Sequence, residues 1–120
     1  MGHVRVRLRI SDIGRRRTLD VEGVVDTGAT LTVIPRRLAE ELGLEVTGRS
    51  LIETGAGRLE LDRGRVWVEI MGRSEIVPVL ISDTIDKVLV GVATLEVLGL
   101  QVDPMTGRLR EWTLLLYRAA

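Results

Sequence analysis

Cysteine is absent from the 120 residues, which excludes disulfides and thiolate chemistry and makes a reducing compartment harmless to the chain. Phenylalanine is absent too. Aromatic residues total 2%, too few for the stacking platforms that single-stranded nucleic-acid binders use. A single histidine, His3, cannot by itself make a metal site. Neither charge dominates: 17 basic residues stand against 17 acidic, so no pull towards nucleic acid or an anionic membrane follows. No apolar run approaches a membrane span, since the stretch from Ile76 to Ile81 is short and carries Pro78. The start alternates Arg with Val, Leu and Ile and so lacks the continuous apolar segment of a secretory leader. These absences predict a cytoplasmic protein without metal or cofactor, and without nucleic acid or membrane as a partner. Lys87 is the only lysine and asparagine is missing, a compositional bias in which we read no function.

What the chain does contain is a globular complement of 45% apolar and 28% charged residues, enough at this length for one domain spanning 1–120. The dominant period is two. Val4, Val6, Leu8 and Ile10 alternate with arginines, predicting a half-buried strand with a solvated outer face. Gly14 opens a turn with Arg15, Arg16 and Arg17 at its exposed tip, and Thr18 to Glu22 forms the return strand. Two apolar runs, Val24-Val25 and Leu31 to Ile34, enclose the polar turn Asp26-Thr27-Gly28-Ala29. Pro35 suits a helix start, and Arg36 to Leu42 reads as a helix stopped by Gly43. Further strands are expected at Leu51 to Glu53, at the return arm that begins with Leu59 and Leu61, over the alternating stretch Arg65 to Ile70, at Ile76 to Ile81, at Val88 to Val90 and at Leu109 to Tyr117. A glycine hairpin falls at Gly55 to Gly57, a short helix at Val92 to Leu98 and a tight turn at Asp103 to Gly107. Many short strands with one or two short helices indicate an all-β barrel or sandwich.

Only Asp26 combines apolar flanks, a tight glycine turn and a titratable side chain. Its carboxyl is expected to emerge from a strand packed on both faces, the kind of position where an acid or base is tuned. One carboxylate is a poor peptidase, because hydrolysing an amide with water needs a base for the water and an acid for the carbonyl oxygen. Two aspartates about 3 Å apart supply both, since repulsion keeps one protonated while the other is ionised. The chain holds one Asp-Thr-Gly; Asp83-Thr84 is followed by Ile85 and cannot be a second copy. Aspartic chemistry therefore requires a two-fold axis pairing Asp26 of two chains.

At these residues the sequence resembles the retropepsin-like aspartic proteases. The match comprises Val24-Val25-Asp26-Thr27-Gly28-Ala29-Thr30 and, about sixty residues later, the apolar-apolar-Gly signature Val88-Leu89-Val90-Gly91. The segment Leu95 to Asp103 is similar to the short helix and Leu-Gly-Leu-x-Val-Asp-Pro stretch of prokaryotic members, and Gly55 to Gly57 falls where the family carries its flap. The resemblance implies a closed acid-protease barrel, active as a two-fold homodimer on an extended peptide or protein substrate. It implies Asp26 as the catalytic carboxylate, Thr27 bonding across the dimer axis, and Gly28 and Ala29 completing the active-site loop. Gly55, Ala56 and Gly57 would close over the substrate as a flap, and Val88, Leu89, Val90 and Gly91 would pack behind the loop. The chain ends, Val4 to Ile10 and Leu109 to Tyr117, would suit an interleaved sheet between subunits.

Two departures bear on function. Retroviral members usually carry Asp and Arg where this chain has Thr30 and Val92, so the charge network they make between subunits is missing. Ala29 stands in place of the serine of pepsin-like sites. Removing that hydroxyl removes a hydrogen bond to a charged dyad, which predicts an activity optimum nearer neutral than pepsin's. A different class of function, a peptide-binding or dimerisation module of the same fold without cleavage, fits the same residues. Trp67 and Trp112 read as packing or interface residues, the Arg15 to Arg17 cluster as a solvated turn, and Asp83 with Asp86 as acids lacking the rest of a metal ligand set.

Overall fold

The computed structural model describes residues 4–112. Strand β1 (Val4–Ser11) follows the alternation of its sequence, burying Val6, Leu8 and Ile10 and exposing Arg5, Arg7 and Arg9. It pairs antiparallel along its whole length with β2 (Thr18–Val25), and Arg5–Glu22 at 3.6 Å and Arg9–Asp20 at 2.9 Å bridge the exposed face. Such exposed pairs fix register more than they add stability. The strand expected at Thr18 to Glu22 and the apolar run Val24-Val25 are one continuous element, because Gly23 is buried under Leu8 and does not interrupt the ladder.

The arginine turn between β1 and β2 is more structured than a solvated tip. Asp12 Oδ1 accepts hydrogen bonds from the backbone amides of Arg16 and Arg17 at 2.9 and 2.8 Å. These bonds, that of Arg17 foremost, hold its carboxyl below the usual aspartate range. The Arg15 guanidinium lies 4.2 Å from the centre of the Trp67 ring, and Trp67 itself is buried.

Beyond the Asp26 turn come β3 (Thr32–Pro35) and helix α1 (Arg36–Leu42), which begins after Pro35 and ends at Gly43 in the left-handed conformation. β4 (Gly48–Thr54) and β5 (Gly57–Ile70) form a hairpin, followed by β6 (Arg73–Ser82), β7 (Val88–Val90) and helix α2 (Val92–Leu98). α2 has no side-chain N-cap, and its last carbonyls accept bonds from Arg73, whose guanidinium lies 3.0 Å from the oxygens of Leu98 and Gly99. β8 (Leu100–Val102) and β9 (Leu109–Glu111) close around the Asp103 to Gly107 turn as a small separate sheet. β9 covers the start of the expected strand Leu109 to Tyr117; residues 113–117 lie outside the described residues.

The strands follow the order β1-β2-β7-β3-β6-β5, and β5 returns to pair with β1, so six strands close into a barrel with β4 appended on β5. The barrel interior is aliphatic: Ile10, Ile34, Val66, Val79, Val88 and Val90 are fully buried. Closure pairs β1 with β5 and leaves β4 as the free edge of the sheet. β1, proposed from the family pattern for an intersubunit sheet, spends its hydrogen bonds on β2 and, over Arg9 to Ser11, on β5 of its own chain.

Two features position the site. β2 and β7 run parallel, with Val24 opposite Leu89 and Val25 opposite Val90, so Asp26 and Gly91 leave neighbouring strand ends together. β5 is 14 residues long, and only residues 62–70 are backed by β6, while Gly57 to Leu61 pair with β4 alone. The outer part of the hairpin therefore projects beyond the barrel wall.

Candidate active site

Asp26 follows the last residue of β2. Its backbone amide continues the parallel ladder by donating to the Val90 carbonyl at 3.0 Å. The chain then turns sharply: the amide of Gly28 donates to Asp26 Oδ1 at 2.9 Å, and that of Ala29 to the Asp26 carbonyl at 3.0 Å. The first of these is the local bond an aspartate makes in an Asx turn, and here it also fixes the direction of the carboxyl group. Val92 and Ala93, in the first turn of α2, donate to the carbonyls of Ala29 and Thr30 at 3.0 Å each. The loop thus caps the helix, and the helix holds the loop.

Gly91 makes this contact possible. A Cβ at this position would lie 2.5 Å from the carbonyl carbon of Leu31 and 2.7 Å from the Thr30 oxygen, backbone atoms that cannot turn aside. Beneath it, the Gly91 amide donates to Thr32 Oγ1 at 3.1 Å, and Thr32 Oγ1 lies 2.6 Å from Thr94 Oγ1, both threonines being buried. Val88 and Val90 point into the core while Leu89 faces outwards, half-buried. Of the residues singled out from the sequence, the fold brings Asp26, Thr27, Gly28, Ala29 and Val88 to Gly91 into one assembly. Thr27 and Gly28 stand at its exposed tip.

One expectation is corrected. Asp26 was expected on a strand packed on both faces, yet Val25 alone is buried and Val24 and Asp26 are half-buried. A barrel wall is a single layer, and the outward row Val24, Leu89, Val33 is only partly covered by the chain itself.

The glycine hairpin lies across a groove from this loop. Gly55 and Ala56 form its two-residue tip, and Gly57, at φ 123°, already pairs with Thr54 as the first residue of β5. Thr54 Oγ1 donates to the Gly57 carbonyl at 2.8 Å and accepts from the Ala56 amide at 3.2 Å. The groove, of about 620 Å³, is lined by residues 28–31 of the loop, 50–53 of β4, and Val33, Leu61, Arg63 and Leu80. A second hollow of about 380 Å³, over the charged outer faces of β1 and β2, shares no residue with it.

Sequence reading missed the supports of this arrangement. Thr32 and Thr94 were the polar members of segments read for their apolar residues, and a threonine inside the run Leu31 to Ile34 was the available signal. Arg36, the first residue of α1, holds Asp62 of β5 at 2.8 Å and Asp83 at 2.8 Å. Its hydrogen bond holds the Asp83 carboxyl below the ordinary aspartate range. Asp83 is thus committed to an arginine, and among the described residues no acid cluster could hold a metal ion.

A six-stranded barrel carrying one Asp-Thr-Gly loop, braced by an apolar-apolar-Gly strand and faced by a hairpin, is the retropepsin fold of the aspartic proteases. Residues 6–98 match the family described as aspartyl protease, and the chain belongs to that family. Among solved structures, the chain is similar to the EIAV protease complexed with the inhibitor HBY-793, at 21% identity and a TM-score of 0.66, covering 82% of this chain and 89% of that one. It is also similar to the simian foamy virus protease, at 23% identity and a TM-score of 0.54, covering 75% of this chain and 91% of that one. At these identities the likeness speaks for the fold. No curated protein matches the sequence significantly.

Proposed function

We propose that the chain is an aspartic endopeptidase whose active site forms when Asp26 of two copies meet across a two-fold axis. The observation that carries this reading is the main-chain bracing of the Asp26 loop, whose residues Gly28 to Leu31 line a groove of about 620 Å³ shared with the hairpin. The ionised carboxylate of the pair takes a proton from water as its oxygen attacks the scissile carbonyl. The protonated carboxyl gives its proton to the carbonyl oxygen, and the intermediate collapses with proton transfer to the leaving amine. Thr27 is assigned to bonds across the axis that fix the two loops. Gly55 to Gly57 are assigned to a flap that pairs with the peptide backbone and excludes water. Val33, Leu61 and Leu80 of the groove lining would give the substrate aliphatic contacts, and a second copy would complete the burial of the half-buried outward row Val24, Leu89 and Val33.

The test is incubation of the wild type and Asp26→Asn with a diverse peptide pool from about pH 4 to 7, with products read by mass spectrometry and mass in solution by light scattering. Cleavage by wild-type dimer that Asp26→Asn abolishes, with the dimer retained, supports the reading. A dimer that binds peptides without cutting them would identify a peptide-binding module instead, and a monomeric protein cleaving normally as Asp26→Asn would overturn the dyad.

A further inference from the structure

We infer that Arg63 makes one subsite of the groove selective for a carboxylate, so that preferred substrates carry Asp or Glu among aliphatic residues near the scissile bond. The inference rests on the protease reading. Arg63 lies on β5 opposite Leu80 of β6, and Leu80 lies opposite Val33 of β3, so one sheet row runs from the guanidinium into the apolar wall of the groove. The side chain is half-buried in that lining. Three nearby arginines are neutralised, Arg36 by Asp62 and Asp83, Arg49 by Glu60 and Asp62, and Arg58 near the hairpin tip by Glu53, while the exposed Arg65 lies outside the groove lining. Arg63 instead donates one bond to a neutral hydroxyl, Ser50 Oγ, at 3.1 Å, and among the described residues no carboxylate lies within ion-pair distance of it.

The groove's own acid, Glu53, is occupied by Arg58 at 3.1 Å, which leaves the groove with an uncompensated positive charge. A guanidinium has five N–H donors in a rigid fork, and the Ser50 bond orients it while using one. A carboxylate delivered by the peptide would take the remaining donors in a two-pronged contact, which strengthens as the bound peptide covers the half-buried guanidinium. Aliphatic side chains of the same peptide would lie on Val33, Leu61 and Leu80. Strand pairing of the peptide with β4 would set which alternate residue reaches the guanidinium.

The experiment is cleavage-site profiling of amidated peptide libraries by wild type, Arg63→Gln, Arg63→Lys and Arg63→Glu, with folding followed by circular dichroism. Amidation leaves side chains as the only source of carboxylate. The wild type should enrich Asp and Glu at one position by about tenfold in kcat/KM over Asn and Gln. Arg63→Gln should lose the enrichment, Arg63→Lys should keep a weaker one that added salt erodes, and Arg63→Glu should favour Lys and Arg at the same position. Cleavage by the wild type with no acidic preference, or an identical profile from folded Arg63→Glu, overturns the inference and leaves the protease reading standing. No cleavage by the wild type overturns both.

Discussion

The Asp26 loop and the β4–β5 hairpin each carry a glycine turn and each contribute to the lining of one groove, and their turns are built in opposite ways. The loop is held from beneath by main-chain bonds from Gly28, Ala29, Val92 and Ala93 and by contact with Gly91 that leaves no room for a methyl group. The hairpin tip is held by one threonine, and no atom lies within 4 Å of where a side chain on Gly55 or Gly57 would start. If Asp26 is the reacting carboxylate and the hairpin a flap, rigidity falls where a carboxylate must be positioned and freedom where a substrate must enter. Glycine serves both purposes, in the first case by allowing close approach and in the second by leaving the backbone free.

Substitution of Gly91 is the strongest way to break this contrast. Gly91→Ala forces the backbone of Thr30 and Leu31 away and disturbs the carbonyls that cap α2. We expect a loss of about 3 kcal/mol or more, with the melting temperature falling by more than about 10 °C and peptidase activity lost. A melting curve like that of the wild type would mean the loop is far softer than its contacts suggest.

Thr32→Val should come next. It keeps the shape but leaves the Gly91 amide and the buried Thr94 hydroxyl without a partner, at about 1–3 kcal/mol. Thr32→Ser, which keeps the oxygen, should recover most of that loss. A double-mutant cycle with Thr94→Val measures the coupling, and additive losses would show that the two hydroxyls do not act together.

The hairpin should respond to its hinge rather than to its tip. Asp62 is where β5 gains its second neighbour, and it is held there by Arg36 at 2.8 Å. Asp62→Asn should accelerate amide exchange across residues 50–61 while changing global stability by no more than about 1 kcal/mol. Equal acceleration in β7 and α2 would show that hairpin and barrel open as one unit. Asp83, on the same arginine, adds a pH dependence of known sign. Its pKa is depressed in the folded chain by the hydrogen bond from Arg36, so its contribution is present above the ordinary aspartate value and lost as pH falls through the folded one. The difference in melting temperature between wild type and Asp83→Asn should therefore shrink on acidification below about pH 4. A difference that grew there would reverse the assignment.

How much of this was legible in the sequence follows the range of the interactions involved. β1, β7 and both helices could be placed because their signals are local: strict alternation, a short apolar run closed by glycine, and glycines ending each helix. The Asp26 turn and the Gly91 signature could each be found as motifs. Their mutual contact is a property of parallel pairing between strands far apart in the chain, which no local pattern encodes. The same holds for Thr32 with Thr94 and for Arg36 with Asp62, since arginines and aspartates are plentiful here and only the fold selects partners. The expectation that Asp26 sits on a doubly packed strand failed for a related reason. Apolar flanks such as Val24 can mean burial inside one chain or a surface still to be covered, and sequence does not distinguish them.

The smallest expected effect sharpens the comparison most. Gly55 and Gly57 stand two residues apart in the same tip with equal space around them, yet only Gly57, at φ 123°, has a backbone conformation that L-residues resist. Gly57→Ala should cost about 1–2 kcal/mol through that conformation alone. Gly55→Ala meets neither a clash nor a strained backbone, and it restricts the unfolded chain, so stability should stay level or rise by up to about 1 kcal/mol. Chemical denaturation of the two variants side by side measures this, with unchanged denaturant slopes required for the comparison. If Gly55→Ala cost as much as Gly91→Ala, the tip would have to be packed in solution, most directly against a second copy of the chain. The same measurement repeated across protein concentration would then identify that contact, since stability shared between copies rises with concentration whereas strain within one chain does not.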